Sequence, residues 1–592
     1  MAPPRPNHHS SIATSFANDN FSLPGGEKGD KSGANEIREV SALGMAASID
    51  YEALRLPATP RPDAETQRHP VVIAGAGPIG LAAAIDLAQN GVDVVLVDDD
   101  DRLSTGSRAI CFAKRTLEIF DRLGCGEAMV RQGVGWSKGR VFHRDGQIYE
   151  FDLLPEQGHR RPAFINLQQY YVEGFLYERA KALPRLDMRW RHRVAGVKIE
   201  GEGVTLDIET PEGGYALKAR YLVAADGSRS FVRKALGLES HGQTFRDRFL
   251  IADVRMEADF PAERWFWFDA PFHPGQSTLL HRQADNVWRI DFQLGWDADP
   301  QVERQPERVL PRVRALLGKE AKFELVWASV YTFSCLRMES FRCGPVFFAG
   351  DSAHGVSPFG ARGANSGVQD AENLAWKLRF VLRGQAPEAL LDTYGVEREF
   401  AADENIKNST RSTDFITPKS EISRQFRDAT LELARDCGFA RQLVNSGRLS
   451  KPSVYASSPL NTPDEDAFAG ALIPGAPCAD APISRDGRDD WLLSVSGDDF
   501  ALLAFSPSPS QIEALRAFSS GEIALKIVLI APKTAGFVCV ADDGLAAARF
   551  DARPGTTYLL RPDQHVAARW RRFDAAKVDA ALRRAVGEAI RC

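Results

Sequence analysis

No apolar run in this 592-residue chain approaches the roughly 18 residues that a membrane-crossing helix needs. The stretch from Ile527 to Ala531 is representative, and it has the length of a buried strand. The first 30 residues carry no charged segment followed by an apolar one, so a secretory signal is not expected. None of the eight cysteines (positions 111, 125, 335, 343, 437, 478, 539 and 592) stands in a C-x-x-C pair. That absence speaks against zinc ribbons, a dithiol redox motif and a secreted disulfide framework, and makes reduced thiols in the cytoplasm the expectation. A basic surplus is missing as well. With a net charge of -6 the chain has nothing spare to neutralise phosphates, so no nucleic-acid partner is expected. The local cluster Arg569-Trp570-Arg571-Arg572 reads as a solvated face. There is no internal repeat.

What remains is ordinary globular material, 44% hydrophobic and 26% charged, in a length that suits roughly three or four domains. Residues 1–68 are rich in Pro, Ser, Asn, Gly and Asp without sustained apolar periodicity, and read as a disordered extension. Met45 is an alternative start, and His8-His9 reads as tail rather than metal site; no metal centre is expected. Residues 69–400 read as one nucleotide-binding domain with a second domain inserted, mainly over about 240–335. A helical segment and a Ser-, Pro-, Asp- and Ala-rich linker fill 401–485, and 486–592 alternates strands and helices as a small α/β domain.

Three motifs carry chemistry. In the first, the β-branched run Val71 to Ala74 leads into Gly75-x-Gly77-Pro78-x-Gly80, a helix to Asn90 and a second strand ending on Asp98. The glycines permit a tight turn and close approach of backbone N–H groups to a pyrophosphate, with the helix N-terminus facing its charge. Asp98 lies where a ribose-binding acid is expected, with Asp99 as the register alternative. In the second, the strand from Tyr221 delivers Asp226, Gly227 and Arg229 to a turn. In the third, a strand runs into Gly350-Asp351 and on through His354, Pro358, Gly360, Gly363 and Asn365 to a long helix. Asp351 suits hydrogen bonds from a polyol, and the helix from Gly363 can stabilise negative charge. His354 is a candidate catalytic group, with a structural role as the competing reading.

In this order and spacing the motifs resemble the class A flavoprotein aromatic hydroxylases, which share the para-hydroxybenzoate hydroxylase fold. Among these the chain is most similar to the larger phenol and 3-(3-hydroxyphenyl)propionate hydroxylases. The resemblance implies an α/β architecture: a Rossmann-like FAD-binding domain, an inserted mixed-sheet substrate domain, and a C-terminal thioredoxin-like domain with a structural or dimerising role. It implies that Gly75, Gly77, Pro78, Gly80 and Asp98 bind the ADP part of FAD, and that Asp226, Gly227 and Arg229 serve FAD and NAD(P)H pyrophosphate. Asp351 beside Gly350 would hold the ribitol, and Pro358, Gly360, Gly363 and Asn365 would line the isoalloxazine. Arg108, in Ser107-Arg108-Ala109-Ile110, and Gln169 resemble further FAD contacts of the family. The implied reaction takes NADH or NADPH, molecular oxygen and a small phenolic substrate, and hydroxylates the ring through a flavin C4a-hydroperoxide. A homodimer is the assembly considered.

Substrate contacts are expected from the strand-rich middle, where Trp265, Trp267, His281, Arg282, Trp288 and Arg289 are candidates. His281 and Arg289 are preferred; core packing competes for each aromatic. Arg289 either reaches a cavity or pairs with Asp291. Two rival readings stand beside hydroxylation. One is a flavin-dependent halogenase, suggested by Trp265-Phe266-Trp267-Phe268-Asp269 without its Ile-Pro; the other is a non-catalytic FAD-binding protein.

Overall fold

The computed structural model describes residues 50–588, except 64, 107, 259 and 445–448. Most of the expected extension, with Met45 and the His8-His9 pair, lies outside the described residues, as does Ser107. Residues 50–67 depart from that expectation. Tyr51 and Leu56 are buried in the core of the first domain, and Tyr51 meets Phe175 edge-on with ring centroids 5.8 Å apart. Isolated anchors in a Pro-rich stretch create no periodicity, so the sequence pattern hides them.

β1 (Arg68–Ala74), α1 (Pro78–Gln89) and β2 (Val94–Asp98) form the expected β-turn-α-β unit. Val71, Val72 and Ile73 are fully buried because both faces of a parallel sheet are covered, which is why this strand reads as an unbroken apolar run. β3 (Cys111–Ala113) leads into α2 (Lys114–Arg122), and β4 (Lys138–His143) turns into β5 (Gly146–Asp152). α3 (Gln169–Lys181) and β6 (Leu186–Trp190) return the chain to the first sheet, followed by β7 (Gly213–Ala224). Next come β8 (Ser240–Arg255), β9 (Arg264–Phe268), β10 (Ser277–Arg282), β11 (Val287–Leu294), α4 (Pro306–Leu317) and β12 (Glu324–Met338). β13 (Val346–Phe348) and α5 (Gly363–Leu382) close the domain. The first sheet orders its parallel strands β13-β7-β1-β2-β6, which brings the C-terminal ends of β1, β7 and β13, and so all three motifs, to one edge.

The second sheet runs β12-β8-β11-β10-β9-β4-β5. It is not confined to the expected 240–335: the early hairpin β4-β5 joins it, with β4 parallel to β9. Alternation marks a strand in sequence but not its partner, so this distant pairing was not legible. Register decides which side chains share a face. Asp253 lies opposite Arg289, which lies opposite His281, and Ile251 opposite Asp291. The other face carries Trp265, Trp267, Trp288 and Ile290, covered by Val309 and Val313 of α4.

α6 (Asp392–Ile416) and α7 (Glu421–Ala434) lead to residues 449–481. These were expected to be linker, yet they line the last strand of the C-terminal sheet. That unit comprises β14 (Phe500–Phe505), α8 (Pro509–Ala517), β15 (Leu525–Ile530), β16 (Val538–Val540), α9 (Leu545–Arg549), β17 (Thr557–Leu560), β18 (Val566–Trp570) and α10 (Ala575–Ala585). Its sheet order is β16-β15-β14-β17-β18, with β14 to β16 parallel, β17 antiparallel to β14 and β18 antiparallel to β17. Thr462 N donates to Ala567 O at 2.9 Å and Gly475 N to Val566 O at 2.7 Å, so the segment covers what would be an open strand edge. Within the Arg569 cluster Arg572 is exposed, but Arg569 and Trp570 are buried and Arg571 half-buried, so it is not the solvated face expected. Arg569 is only 4% exposed, bonds Asp464 at 2.9 Å and stacks over Phe468, while Arg571 N donates to Asp466. Among the described residues no helix is long and apolar enough to cross a membrane.

Candidate functional site

The first motif folds as its glycines require. Gly75 has φ +103°, and a Cβ there would stand 2.5 Å from the Ala225 carbonyl oxygen; a Cβ on Gly80 would overlap the Gly75 carbonyl. At Gly77 a Cβ would meet nothing within 4 Å, the open approach a pyrophosphate needs. α1 starts there with no acid in its first turn, which leaves its positive end available to an anion. Asp98 ends β2, and Asp99 lies exposed beyond it. The Asp98 carboxylate accepts the amides of Ala76 at 2.6 Å and Asp100 at 2.9 Å, so it shapes the glycine loop from below. Burial raises its pKa, opposed by those two amides.

The third motif is pressed against the first. Cβ atoms on Gly350 and Gly367 would stand 3.0 and 2.6 Å from Ile79 Cγ1, so both glycines let the strand end and α5 close on the head of α1. Asp351 opens into the resulting cleft, and its carboxylate makes no hydrogen bond among the described residues. Burial raises its pKa, opposed by nearby His354 and Arg108. His354 is buried, points to Asp370 at 2.7 Å and stacks on Phe341, which is a structural setting. Asp370, unnoticed in the sequence, also accepts the Gly350 amide at 2.9 Å and Arg398 Nε at 2.6 Å. Burial alone would raise its pKa, but His354, Arg398 and the Gly350 amide hold it below the usual carboxylate range.

The second motif is tied to the third by Arg233, an arginine not singled out in the sequence. Arg229 is exposed, whereas Arg233 donates to Ser352 O at 2.6 Å and Ser228 O at 2.8 Å, tying the second turn to the third. Asp226 accepts the Val232 amide at 3.0 Å, and Gly227, at φ +74°, leaves open space beside it. Arg108 is exposed on the loop that Gln169 and Glu173 hold. Gln169 accepts the Ala109 amide at 3.1 Å, and Glu173 accepts the Ser104 amide and hydroxyl, each at 2.7 Å. Gln169 thus acts on the arginine loop. Asn365 likewise spends its amide on β3: Oδ1 accepts Ala113 N at 2.8 Å and Nδ2 donates to Cys111 O at 2.9 Å. Pro358 is exposed, Gly360 turns at φ +104°, and α5 begins at Gly363 with no acid in its first turn.

The expected cofactor fits these residues. An unobstructed glycine cradle, an uncompensated helix N-terminus and an unbonded carboxylate suit in turn the pyrophosphate and the polyol of FAD.

The second sheet turns its polar face toward this cleft. Phe249 meets Phe359 of the third motif with centroids 4.8 Å apart, and Arg289 Nη1 lies 3.4 Å from Arg108 O. Arg289 pairs with Asp253, at 2.8 and 2.7 Å, and not with Asp291. His281 Nε2 sits 3.7 Å from Asp291 while Nδ1 has no partner. Burial, reinforced by Arg264 and Arg289, pushes His281 well below its ordinary pKa, so it is neutral. Burial raises Asp291 to about 6 against Arg289. Trp265, Trp267 and Trp288 lie on the opposite face as core, with Arg282 over the Trp288 ring.

Known proteins match this arrangement. A family model described as FAD binding domain matches residues 68–409. The 3-(3-hydroxy-phenyl)propionate/3-hydroxycinnamic acid hydroxylase of Mycobacterium sp. (strain JLS) is 28% identical over 543 residues, covering 89% of this chain and 93% of its own. The 6-methylpretetramide 4-monooxygenase of Streptomyces rimosus is 29% identical over 528 residues, covering 86% and 92%. The flavin-dependent monooxygenase PieE, solved with FAD and substrate, has the same fold: TM-score 0.75 at 22% identity, over 88% of this chain and 100% of PieE. The match at 68–409 spans more than half of the chain and includes every motif that builds the cleft, and the protein therefore belongs to the FAD binding domain family.

Proposed function

We propose that the protein is a FAD-dependent monooxygenase that uses NADH or NADPH and molecular oxygen to hydroxylate a phenolic aromatic compound. One observation carries this reading: the three motifs meet at one cleft, where the Asp351 carboxylate is unbonded and the polar face of the substrate sheet closes over the Arg108 loop. The names of the hydroxylase and monooxygenase relatives support it.

Bound FAD would supply a hydride acceptor for NADH or NADPH and the means to activate oxygen. The chain's own residues do the rest. The amides opening α1 would face the pyrophosphate, and Asp351 would accept hydroxyl hydrogen bonds from the ribitol. The N-terminus of α5 would favour negative charge beside the ring, and Arg108 would lend positive charge to the same cleft. The Phe249–Phe359 contact closes one wall against water.

The halogenase alternative rested on Trp265 to Asp269, whose indoles pack on the sheet face away from the cleft. A non-catalytic FAD-binding role finds no damaged motif to support it. The C-terminal unit is read as thioredoxin-like, supported by its β-α-β-β-α-β-β-α order around parallel β14 and β15. A cytoplasmic location is supported by seven free cysteines among the described residues, and a homodimer by exposed Ile422, Phe426 and Phe439. The test is NADH and NADPH oxidation by FAD-loaded protein across a panel of phenols and phenolic acids. At least one should accelerate oxidation severalfold; an unchanged slow rate with every compound overturns the reading.

A further inference from the structure

On the polar face of the second sheet one guanidinium lacks a hydrogen-bonded acid among the described residues. Arg264, on β9, is 6% exposed, and its Nε and Nη1 are buried without a hydrogen-bond partner. It forms no ion pair among the described residues. The neighbouring arginine differs: Arg289 is gripped by both oxygens of Asp253. Arg264 therefore has no protein carboxylate to itself. Asp291 is the acid within its electrostatic reach, and Asp291 lies beside His281 instead.

A buried guanidinium without a partner costs several kcal/mol, because it gives up hydration and gains no ion pair. Natural proteins tolerate such a group where a ligand supplies the missing charge. The surroundings favour that resolution. Arg264 acts electrostatically on Cys111 of β3 and Tyr331 of β12, so it lies where the substrate sheet abuts the strand that Asn365 fixes to α5. Tyr331 makes no hydrogen bond among the described residues and is only partly buried, and His281 Nδ1 is unpartnered. A forked donor, a hydroxyl and a neutral imidazole on one wall form a receptor for an oxyanion.

We infer that Arg264, with His281 and Tyr331 beside it, binds an anionic group of the aromatic substrate, a carboxylate or a phenolate. The inference rests on the hydroxylase reading for the identity of the ring, but the anion preference rests on Arg264 alone. It adds a specificity-determining residue that sequence reasoning passed over in favour of His281 and Arg289. Arg264 opens an aromatic run, Arg264 to Phe268, whose tryptophans draw attention to the wrong face.

The test measures dissociation constants by the absorbance change of bound FAD, in wild type, R264K and R264M. The ligands are matched pairs: benzoate and 3-phenylpropionate, each with its primary amide, and 4-nitrophenolate with 4-nitroanisole. Wild type should prefer the anion of at least one pair by roughly tenfold or more, as a charge-assisted bidentate contact allows. R264M should lose that preference to within about twofold while keeping its FAD, and R264K should retain part of it. Preference within the acid–amide pairs identifies a carboxylate, and within the nitrophenol pair a phenolate. Equal binding of anion and neutral partner in wild type, no binding of any anion, or a preference that survives in R264M overturns the inference. NAD(P)H oxidation measured alongside separates the two claims: an anion preference without phenol-stimulated oxidation leaves Arg264 standing and removes the hydroxylase reading.

Discussion

His354 Nε2 lies 2.7 Å from Asp370 Oδ2 and donates to it, the tautomer an ionised carboxylate selects. The same oxygen accepts the Gly350 amide, and the other holds Arg398, so a strand end, a loop histidine and two helices share one buried carboxylate. Gly350 precedes Asp351, and Asp370 therefore sets where the Asp351 carboxylate, proposed to hold the ribitol, stands.

Asp370→Asn should uncouple this joint. It leaves the Arg398 guanidinium buried without its charge partner, a loss of about 3–5 kcal/mol for a broken buried pair. A marked drop in melting temperature and at least tenfold weaker FAD binding are expected. In His354→Asn, turnover per bound flavin should stay within about threefold of wild type, because His354 supports the turn and does not face the reacting atoms. Thermal melts and FAD titration check both variants; unchanged stability and affinity in Asp370→Asn would contradict the role given to it.

Asp351→Ala separates cofactor binding from folding. The side chain has no protein partner among the described residues, so apoprotein stability should change by less than about 0.5 kcal/mol. FAD occupancy after purification should fall strongly. Wild-type occupancy in this variant would remove Asp351 from the ribitol site.

The first motif was legible because backbone geometry itself demands glycine at 75 and 80, whatever surrounds them. The same logic located Asp351 at a strand end. Asp370, Arg398 and Arg233 were not legible, since each works only through contacts between elements far apart in sequence. The partner of Arg289 was missed for a related reason. Alternation in Trp288 to Asp291 shows two faces, but only the register of β8 against β11 puts Asp253, and not Asp291, against Arg289. The segment 449–481 did not read as structure because its acids, Asp464 and Asp466, are ordered only by Arg569 of β18 and by Arg571 just beyond it.

Asp291 gives the fold a pH signature. Burial, against the pull of Arg289, raises its carboxyl to about 6, above an unfolded value near 4. The folded state thus holds the proton more tightly. This stabilisation is fully present below about pH 4 and is lost as pH rises through about 6. Asp291→Asn removes the titration, so its stability relative to wild type should rise by about 3 kcal/mol between roughly pH 4 and pH 7, then level off. Denaturant melts across that range measure it, and a flat difference would show that Asp291 is ionised at all these pH values.

Arg561 fastens the C-terminal unit to α6. It is fully buried and bonds Glu397 and Asp563, at 2.9 Å through Nη2 and Nε respectively. Arg561→Met takes the guanidinium from both acids, leaving Asp563 without its buried arginine while Glu397 keeps Lys377 at 2.8 Å, and a loss of about 3–5 kcal/mol follows. The double variant Arg561→Met, Asp563→Asn should recover part of it, because Glu397 must stay to hold the buried Lys377. Calorimetry on the three proteins tests the pair, and equal stability of wild type and Arg561→Met would show that other contacts hold the unit in place.

The most direct test of the central claim is isotopic. FAD-loaded protein is incubated with NADH or NADPH, the most stimulating phenol and labelled molecular oxygen, and the product is weighed. The account predicts a product heavier than the substrate by one labelled oxygen atom, formed in proportion to the reduced nicotinamide consumed. Hydrogen peroxide as the sole oxygen product, with the phenol recovered unchanged for every ring compound tried, would contradict it.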